Sequence, residues 1–373
     1  MKARIIERAH ALGAGAIRFT SGEHDPLVAE RLRAALARGD LATWGYDDAY
    51  ATTAATPEQL LPGARTVICL AVPYATDGVR ERPGTGRVSN YAWSRDYHAH
   101  MQKLLRALAA EIDALAGAAV TRVVCDTSPL AERAFAERAG LGWIGKHTNL
   151  IVHGLGSFVF LGEIVTSLEL VADAPLRTNC GACTRCVVAC PTGALRADYT
   201  IDARRCISDL TQRTDAIPRE LRALIGTWIW GCDICQDVCP PTRNAGIVAG
   251  PAFAPLHPDA AVPALLDVLA LRSGTFKRRF ARTAMGWRGS AILRRNAAVA
   301  LGNLGDRATV PGLVRALVDD PHPLVRGHSA WALGRIGSPQ AFAALRAREA
   351  LEEDGSVCGE IEAALEPWPP NER

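Results

Sequence analysis

The sequence predicts an α+β chain in three consecutive parts. An N-terminal α/β region covers residues 1–172, a small cysteine-organised module covers 173–250, and a linker followed by α-helical repeats covers 251–373. Three observations predict this order. Short β-branched runs and helical apolar patterns share the first part. Eight of the eleven cysteines crowd between 180 and 239. A motif near residue 300 recurs 32 residues later, the mark of a stacked repeat.

Bulk properties exclude several classes. The chain has 373 residues, is 49% hydrophobic and 22% charged, and carries a formal net charge of +3. This is the composition of a folded globular protein, and any basic surface must be local. The N-terminal "MKARIIERAHALGAGAIRF" has no long apolar stretch and no small-residue cleavage site, so no secretory signal is expected. No apolar run reaches the ~18 residues that a membrane helix needs. We expect a cytoplasmic monomer without membrane contact. An odd number of cysteines, clustered in one stretch, points to metal or redox chemistry more than to disulfides.

In the first part, "RTVICLAVPY" (65–74) and "TRVVCDTS" (121–128) read as strands. Residues 96–117 carry apolar residues at helical spacing and stop on Gly117, a C-cap. "LAERAFAERAGLGW" reads as a second helix stopped by Gly140. "NLIVHGLGSFVFLGEIV" is two apolar runs around a glycine turn, which predicts a hairpin. "PAFAPLHPDAAVP" (251–263) reads as a proline-rich linker. Further on, "RRNAAVALGNLGD" (294–306) matches "RGHSAWALGRIGS" (326–338). Each copy is an apolar helix closed by glycine, as in an α-solenoid of HEAT type. Two copies are too few to stand alone, so they should pack on what precedes them.

Cys180, Cys183, Cys186 and Cys190, followed by Pro191, spell C-x2-C-x2-C-x3-C-P. This is the bacterial ferredoxin run, in which three thiolates hold one iron–sulfur cube and the fourth crosses to another. Cys232, Cys235 and Cys239, followed by Pro240, repeat the ending with one ligand missing. Cys206 lies between the two motifs and is the candidate for the vacant place. The expected sets are Cys180, Cys183, Cys186 and Cys239 for one [4Fe-4S] cluster, and Cys190, Cys206, Cys232 and Cys235 for the other. Four-cysteine zinc sites also use C-x2-C pairs, but the two C-x3-C-P endings favour ferredoxin pairing. Cys69, Cys125 and Cys358 sit in apolar or helical contexts and read as ordinary thiols.

Asp126 ends an apolar strand and precedes a helix. A carboxylate there commonly lines the ligand crevice of an α/β sheet. Burial would raise its pKa and suit it to proton donation. The competing role is a helix N-cap, open also to Thr127 and Ser128.

Taken together, "DTSPLAERAFAERAGLGWIGK", the eight cysteines, "RRCISDLTQ", "GCDICQDVCP" and the C-terminal repeat resemble the epoxyqueuosine reductase family over nearly the whole chain. The resemblance implies a nitroreductase-like cobalamin-binding domain, a ferredoxin-like domain with two [4Fe-4S] clusters, and HEAT-like repeats. It implies an oxidoreductase that converts epoxyqueuosine at the tRNA wobble position to queuosine. Electrons would pass from an external donor through the clusters to base-off cobalamin. Carried over by motif, Asp126 matches the proton donor, and Lys146 lies in the matching "GWIGK" segment. Leu150, Ile151, Val152 and Leu161 match backbone lining the corrin, while Ser89 and Ser208 match further cofactor contacts. Two positions depart from the family pattern: His147 stands where asparagine is usual, and Ala54 where a basic residue is usual. Asp96–Tyr97–His98 approaches the D-x-H-x-x-G base-off motif but ends in Met101. His98 is therefore expected on a helix face and not on cobalt.

Between Lys277 and Arg335 there are 11 Lys and Arg against 3 Asp and Glu. A basic helical repeat of this kind suits tRNA phosphates, and Arg294, Arg295 and Arg326 are the expected contacts. Two other readings stay open: a reductive dehalogenase-like corrinoid reductase acting on a small molecule, and a ferredoxin-type electron carrier with a HEAT interaction module.

Overall fold

The computed structural model describes residues 1–76, 81–246 and 249–366. The chain gathers into two compact units. The first draws on Met1–Asp77, Asp96–Arg204 and Asp233–Ala254, the second on Gly78–Arg95, Arg205–Cys232 and Pro255–Arg373. The strands in chain order are β1 (Ala16–Ser21), β2 (Thr66–Pro73), β3 (Arg87–Val88), β4 (Thr121–Val124), β5 (Gly142–Ile144), β6 (Leu150–Val152), β7 (Val159–Thr166) and β8 (Trp228–Trp230).

The first unit is built on a four-stranded sheet of order β1-β2-β7-β4, antiparallel throughout. β2 is buried along its whole length, which accounts for its unbroken apolar run. One face of the sheet takes the helix Tyr97–Ala116, which buries Met101, Leu104, Leu105, Leu108 and Ile112. Gly162 of β7 makes room for it, since a Cβ there would stand 2.8 Å from Leu105 Cδ1. The other face packs Phe135 and Ala136 of the helix Glu132–Arg138, and Leu150 and Val152 of β6. The long helix is capped by Asp96 and ends on Gly117 in the left-handed region, φ 71°, as the sequence predicts.

Two expectations change here. The sheet is antiparallel, so the crevice rule for parallel α/β sheets does not explain the position of Asp126. The two apolar runs around the glycine turn are also not hairpin partners: β6 pairs with β5, while β7 pairs with β2 and β4. The turn serves a different contact. A Cβ on Gly156 would lie 2.6 Å from Thr242 Cα, and the Ser157 N–H and hydroxyl both bond the Thr242 hydroxyl.

In the second unit, β3 and β8 form a short parallel pair. The helices Ser290–Leu304, Val310–Asp319, Pro323–Ile336, Pro339–Glu349 and Gly355–Leu365 form the repeat. Gly305 and Gly337 close equivalent helices in the left-handed conformation, φ 66° and 63°. Gly302 and Gly334 recur because a Cβ would lie 2.9 Å from Ala332 Cα and 2.8 Å from Ala364 Cβ. The repeat does pack on an earlier segment. Asn296 donates to the carbonyls of Thr211 and Ile229, and Asn303 donates to those of Arg222 and Gly226.

The three arginines expected to meet phosphates are used internally. Arg295 is fully buried and donates to the carbonyls of Leu210, Arg213 and Asp215. Arg294 pairs with Asp320, and Arg326 with Glu352. Exposed cations lie just before the repeat, at Arg272, Lys277, Arg278 and Arg282, and within it at Arg307, Arg315 and Arg346. Among the described residues no helix is long and apolar enough to cross a membrane.

Candidate functional site

Asp126 sits in the first unit, two residues past the end of β4, with φ 52°. This left-handed backbone costs a non-glycine residue about 1 kcal/mol or more and turns the side chain away from the strand line. Its Oδ2 meets His98 Nε2 at 2.9 Å, and His98 Nδ1 meets Asp96 Oδ1 at 2.6 Å. Its backbone N–H donates to Glu132 Oε1 at 2.6 Å. Asp126 thus does not cap the following helix.

A histidine bonded through both ring nitrogens to carboxylates is an imidazolium. Asp126 and Asp96 push the His98 pKa up to about 10. In return the His98 bond holds the Asp126 carboxyl below its usual range, with burial opposing. This corrects the expectation that burial alone would raise Asp126: the proton of the pair rests on the imidazole. A raised folded-state pKa stabilises the fold fully below the unfolded value near 6.5, and that gain is lost as pH rises through about 10. His98→Asn should therefore melt below the parent at pH 7, with the gap closing toward pH 10 in thermal scans.

Asp126 opens into a cavity of about 1060 Å³ wholly within the first unit. Tyr97, Phe160, Leu161 and Leu130 give it apolar and aromatic walls, and Thr148, Asn149 and Asn179 give it polar edges. Tyr97 stacks on Phe160 with ring centroids 4.0 Å apart, so the N-terminal turn of the Asp96-capped helix and β7 are locked together at the site. Arg31, Arg38, Glu132, Arg133 and Glu137 also line it, so the volume suits a large ligand with a polar fringe.

The first unit also gathers ferredoxin-type thiols. The short helices Arg185–Ala189 and Ile234–Asp237, carrying Cys186 and Cys235, pack together. Cys190 and Cys239 both precede proline and are extended, with φ/ψ of −71°/110° and −74°/119°. Proline forces that conformation on its predecessor, and so redirects the fourth thiol. Burial raises the Cys186 thiol, and the neighbouring Cys180 and Cys239 thiols add to it. Cys239 likewise feels Cys180 and Cys183. These four sulfurs therefore share one neighbourhood. Ile151 of β6 packs with Trp143 against Cys239 and Cys180. Lys146 Nζ donates to the Gly181 carbonyl at 2.9 Å. Cys206 and Cys232 belong to the second unit, as do Ser208 and the buried Ser89.

Asp126 and Leu161 share the cavity wall, and Ala54 also lines it. Leu150 and Val152 turn into the sheet core instead, opposite Ile151. His147 is buried, with its Nδ1 accepting from the Asn149 N–H, and burial pushes its pKa down to about 4. It is a neutral ring. Cys69 and Cys125 are buried thiols, as expected. Sequence reasoning missed the role of His98 and did not find Glu132 or Glu163. The signal for Glu163 was present: it is the charged residue inside "VFLGEIVT", a strand otherwise built for a core.

Comparison with known proteins agrees with this arrangement. Residues 179–242 match the 4Fe-4S double cluster binding domain, and residues 284–366 match HEAT repeats. Residues 55–127 match the family described as epoxyqueuosine reductase QueG, DUF1730. The epoxyqueuosine reductase of Bacillus subtilis (strain 168) is 33% identical over 98% of this chain and 95% of its own length. That of Xanthomonas campestris is 40% identical over 82% and 88%. A crystal structure of epoxyqueuosine reductase with an epoxyqueuosine-modified tRNA-Tyr stem loop superposes with a TM-score of 0.91 at 34% identity, covering 98% of this chain and 97% of that one. A B. subtilis structure with its aspartate-bearing catalytic loop swung out of the active site gives a TM-score of 0.91 at 33% identity, covering 98% of both chains. These relatives set aside the dehalogenase-like and simple electron-carrier readings. With relatives matched end to end and its iron–sulfur thiols and repeat in family order, this oxidoreductase belongs to the epoxyqueuosine reductase family.

Proposed function

We propose that the chain reduces epoxyqueuosine at the wobble position of tRNA to queuosine, using two [4Fe-4S] clusters and base-off cobalamin. The observation that carries this is Asp126, held by His98 at the wall of a cavity large enough for a corrin, in the unit that also gathers the first thiol set. By the ferredoxin logic, Cys180, Cys183, Cys186 and Cys239 hold one cluster. Cys190, Cys206, Cys232 and Cys235 hold the other. The functional division is then 1–172 for cobalamin and catalysis, 173–250 for the clusters and 251–373 for the repeat. The enzyme works as a cytoplasmic monomer with an external electron donor.

When bound, the cobalt and iron–sulfur groups supply the two electrons of the reduction. The chain itself delivers one of the two protons, and water supplies the other. Opening the epoxide to an alkene releases the oxygen as water and consumes two protons. Asp126 faces the cavity, and His98 behind it carries an exchangeable proton. Covering Asp126 with a nucleoside removes water, and desolvation favours the neutral carboxyl. That draws the proton from His98 onto Asp126, where it can reach the epoxide oxygen. Tyr97, Phe160 and Leu161 wall the pocket, and the β6 backbone would line the corrin. The test is anaerobic reconstitution followed by a cobalamin-binding spectrum and an assay for queuosine in epoxyqueuosine-tRNA. No cobalamin-dependent product would overturn the reading.

The tRNA handle is assigned to the exposed Arg272, Lys277, Arg278 and Arg282. Reversing charge at Lys277, Arg278 and Arg282 should weaken tRNA binding and reduce the slope of log K against log salt by about 0.7–0.9 per lost phosphate contact. Cobalamin affinity should stay the same. An unchanged salt slope would return these residues to ordinary solvated surface.

A further inference from the structure

Trp143 is the middle residue of β5, and strand alternation decides where it points. Its neighbour Ile144 and the β6 residues Leu150 and Val152 face the sheet core. Trp143 lies opposite Ile151 in the β5–β6 pair, so both side chains turn to the other face. There they pack with Cys239 and Cys180. The hairpin is pinned in this place. A Cβ on Gly142 would stand 2.3 Å from the Ile151 carbonyl oxygen, so glycine is what allows the close pairing. Lys146 Nζ, in the turn that follows β5, donates to the Gly181 carbonyl beside Cys180 at 2.9 Å. Trp143 is 8% exposed, and its Nε1–H is buried with no acceptor among the described residues. A buried indole N–H ordinarily finds a partner, and one left bare is destabilising. The groups beside this one are thiols. Thiolates around an iron–sulfur cube bring bridging sulfides with them, and these sulfurs accept hydrogen bonds.

We propose that Trp143 donates its indole N–H to the sulfurs of the cluster held by Cys180, Cys183, Cys186 and Cys239, and thereby raises the reduction potential of that cluster. The assignment rests on this thiol set holding a [4Fe-4S] cluster. One electron taken from the external donor adds one negative charge to the cube and its thiolates. An N–H aimed at sulfur binds the more negative state more strongly, so it favours the reduced form. The apolar body of the ring, with Ile151, acts in the opposite direction, because a low-dielectric wall disfavours added charge. The two effects of one side chain are separable by sign. Losing the N–H alone lowers the potential, whereas admitting water raises it.

The test uses the full chain with both clusters reconstituted, titrated anaerobically with dithionite while the electron paramagnetic resonance of the reduced cubes is followed. Trp143→Phe keeps an aromatic ring without the N–H. At a given potential the reduced-to-oxidised ratio of one cluster should fall about tenfold, a negative shift of about 59 mV for a one-electron couple, while the other cluster stays where it was. Replacing Trp143 by the benzothiophene analogue of tryptophan puts sulfur in place of the N–H within the same ring shape. It should give the same negative shift with the wall intact. A further readout needs no redox change. The indole N–H mode of Trp143 in ultraviolet resonance Raman spectra, assigned by difference against Trp143→Phe, should move toward its hydrogen-bonded position when clusters are loaded into the apoprotein. The proposal is overturned by an unmoved or positive potential in the benzothiophene protein, or by an N–H mode indifferent to cluster loading. A parent that binds no iron at this thiol set would overturn the cluster assignment as well. Normal iron content with an unmoved potential would overturn the role of Trp143 alone.

Discussion

Asp126→Asn keeps clusters, cobalamin and tRNA binding while turnover falls by roughly 10²–10⁴, the usual worth of a general acid. The substitution preserves size and polarity at a surface already shaped by the turn. It removes the carboxylate that accepts from His98 at 2.9 Å, and an amide cannot carry the proton onward. His98 keeps Asp96 as a partner at 2.6 Å, so the helix start should survive. The measurement is queuosine formed from epoxyqueuosine-tRNA under anaerobic, reducing conditions, with binding followed separately. Near-normal turnover would assign the proton to another group. The His98 pair also predicts an intermediate case: His98→Asn leaves the carboxyl but removes its proton store, so it should be slower than the parent and faster than Asp126→Asn.

Removing cluster ligands should abolish activity by a different route. Reconstituted parent should contain about eight irons and eight sulfides per chain, four of each per cube. Cys206→Ala should bring both to about four and stop turnover, because the remaining cluster cannot complete the path. Cys239→Ala should give the same stoichiometry through the other cluster. Zinc in place of iron, or a full iron content in Cys206→Ala, would break the pairing. The Cys239 variant carries a structural check as well. Cys239 packs with Trp143 and Ile151, so tryptophan fluorescence should shift there and not in Cys206→Ala.

Local signals carried much of this molecule in the sequence. The helix ends at Gly117, Gly305 and Gly337 were legible because only a left-handed residue was needed. The extended backbone at Cys190 and Cys239 was legible because proline dictates the conformation before it. Non-local pairing was not. Nothing near residues 150–166 says that β7 joins β2 and β4 while β6 turns back onto β5. Charge composition also misled. Arg294, Arg295 and Arg326 look like a basic stripe, yet their partners lie in distant segments that the stripe itself does not announce. Asp126 was found by motif and strand position, but its electrostatics came from His98, a helix away in the chain.

The repeat ordinarily counts as a detachable accessory, an adaptor that a chain can shed while its core persists. Here that modularity fails. Arg295, Asn296 and Asn303 supply donors to seven carbonyls between Leu210 and Ile229, the stretch that runs from Cys206 to Cys232. Leaving one buried carbonyl without a donor costs about 1–3 kcal/mol, so losing half of them is comparable to the ~5–15 kcal/mol margin of a typical domain. A chain cut before Ser290 would keep Arg272, Lys277, Arg278 and Arg282 and still be damaged. It would lose the mould that shapes the loop between two of its redox thiols, and oxidative inactivation should be the first symptom of a shortened C-terminus.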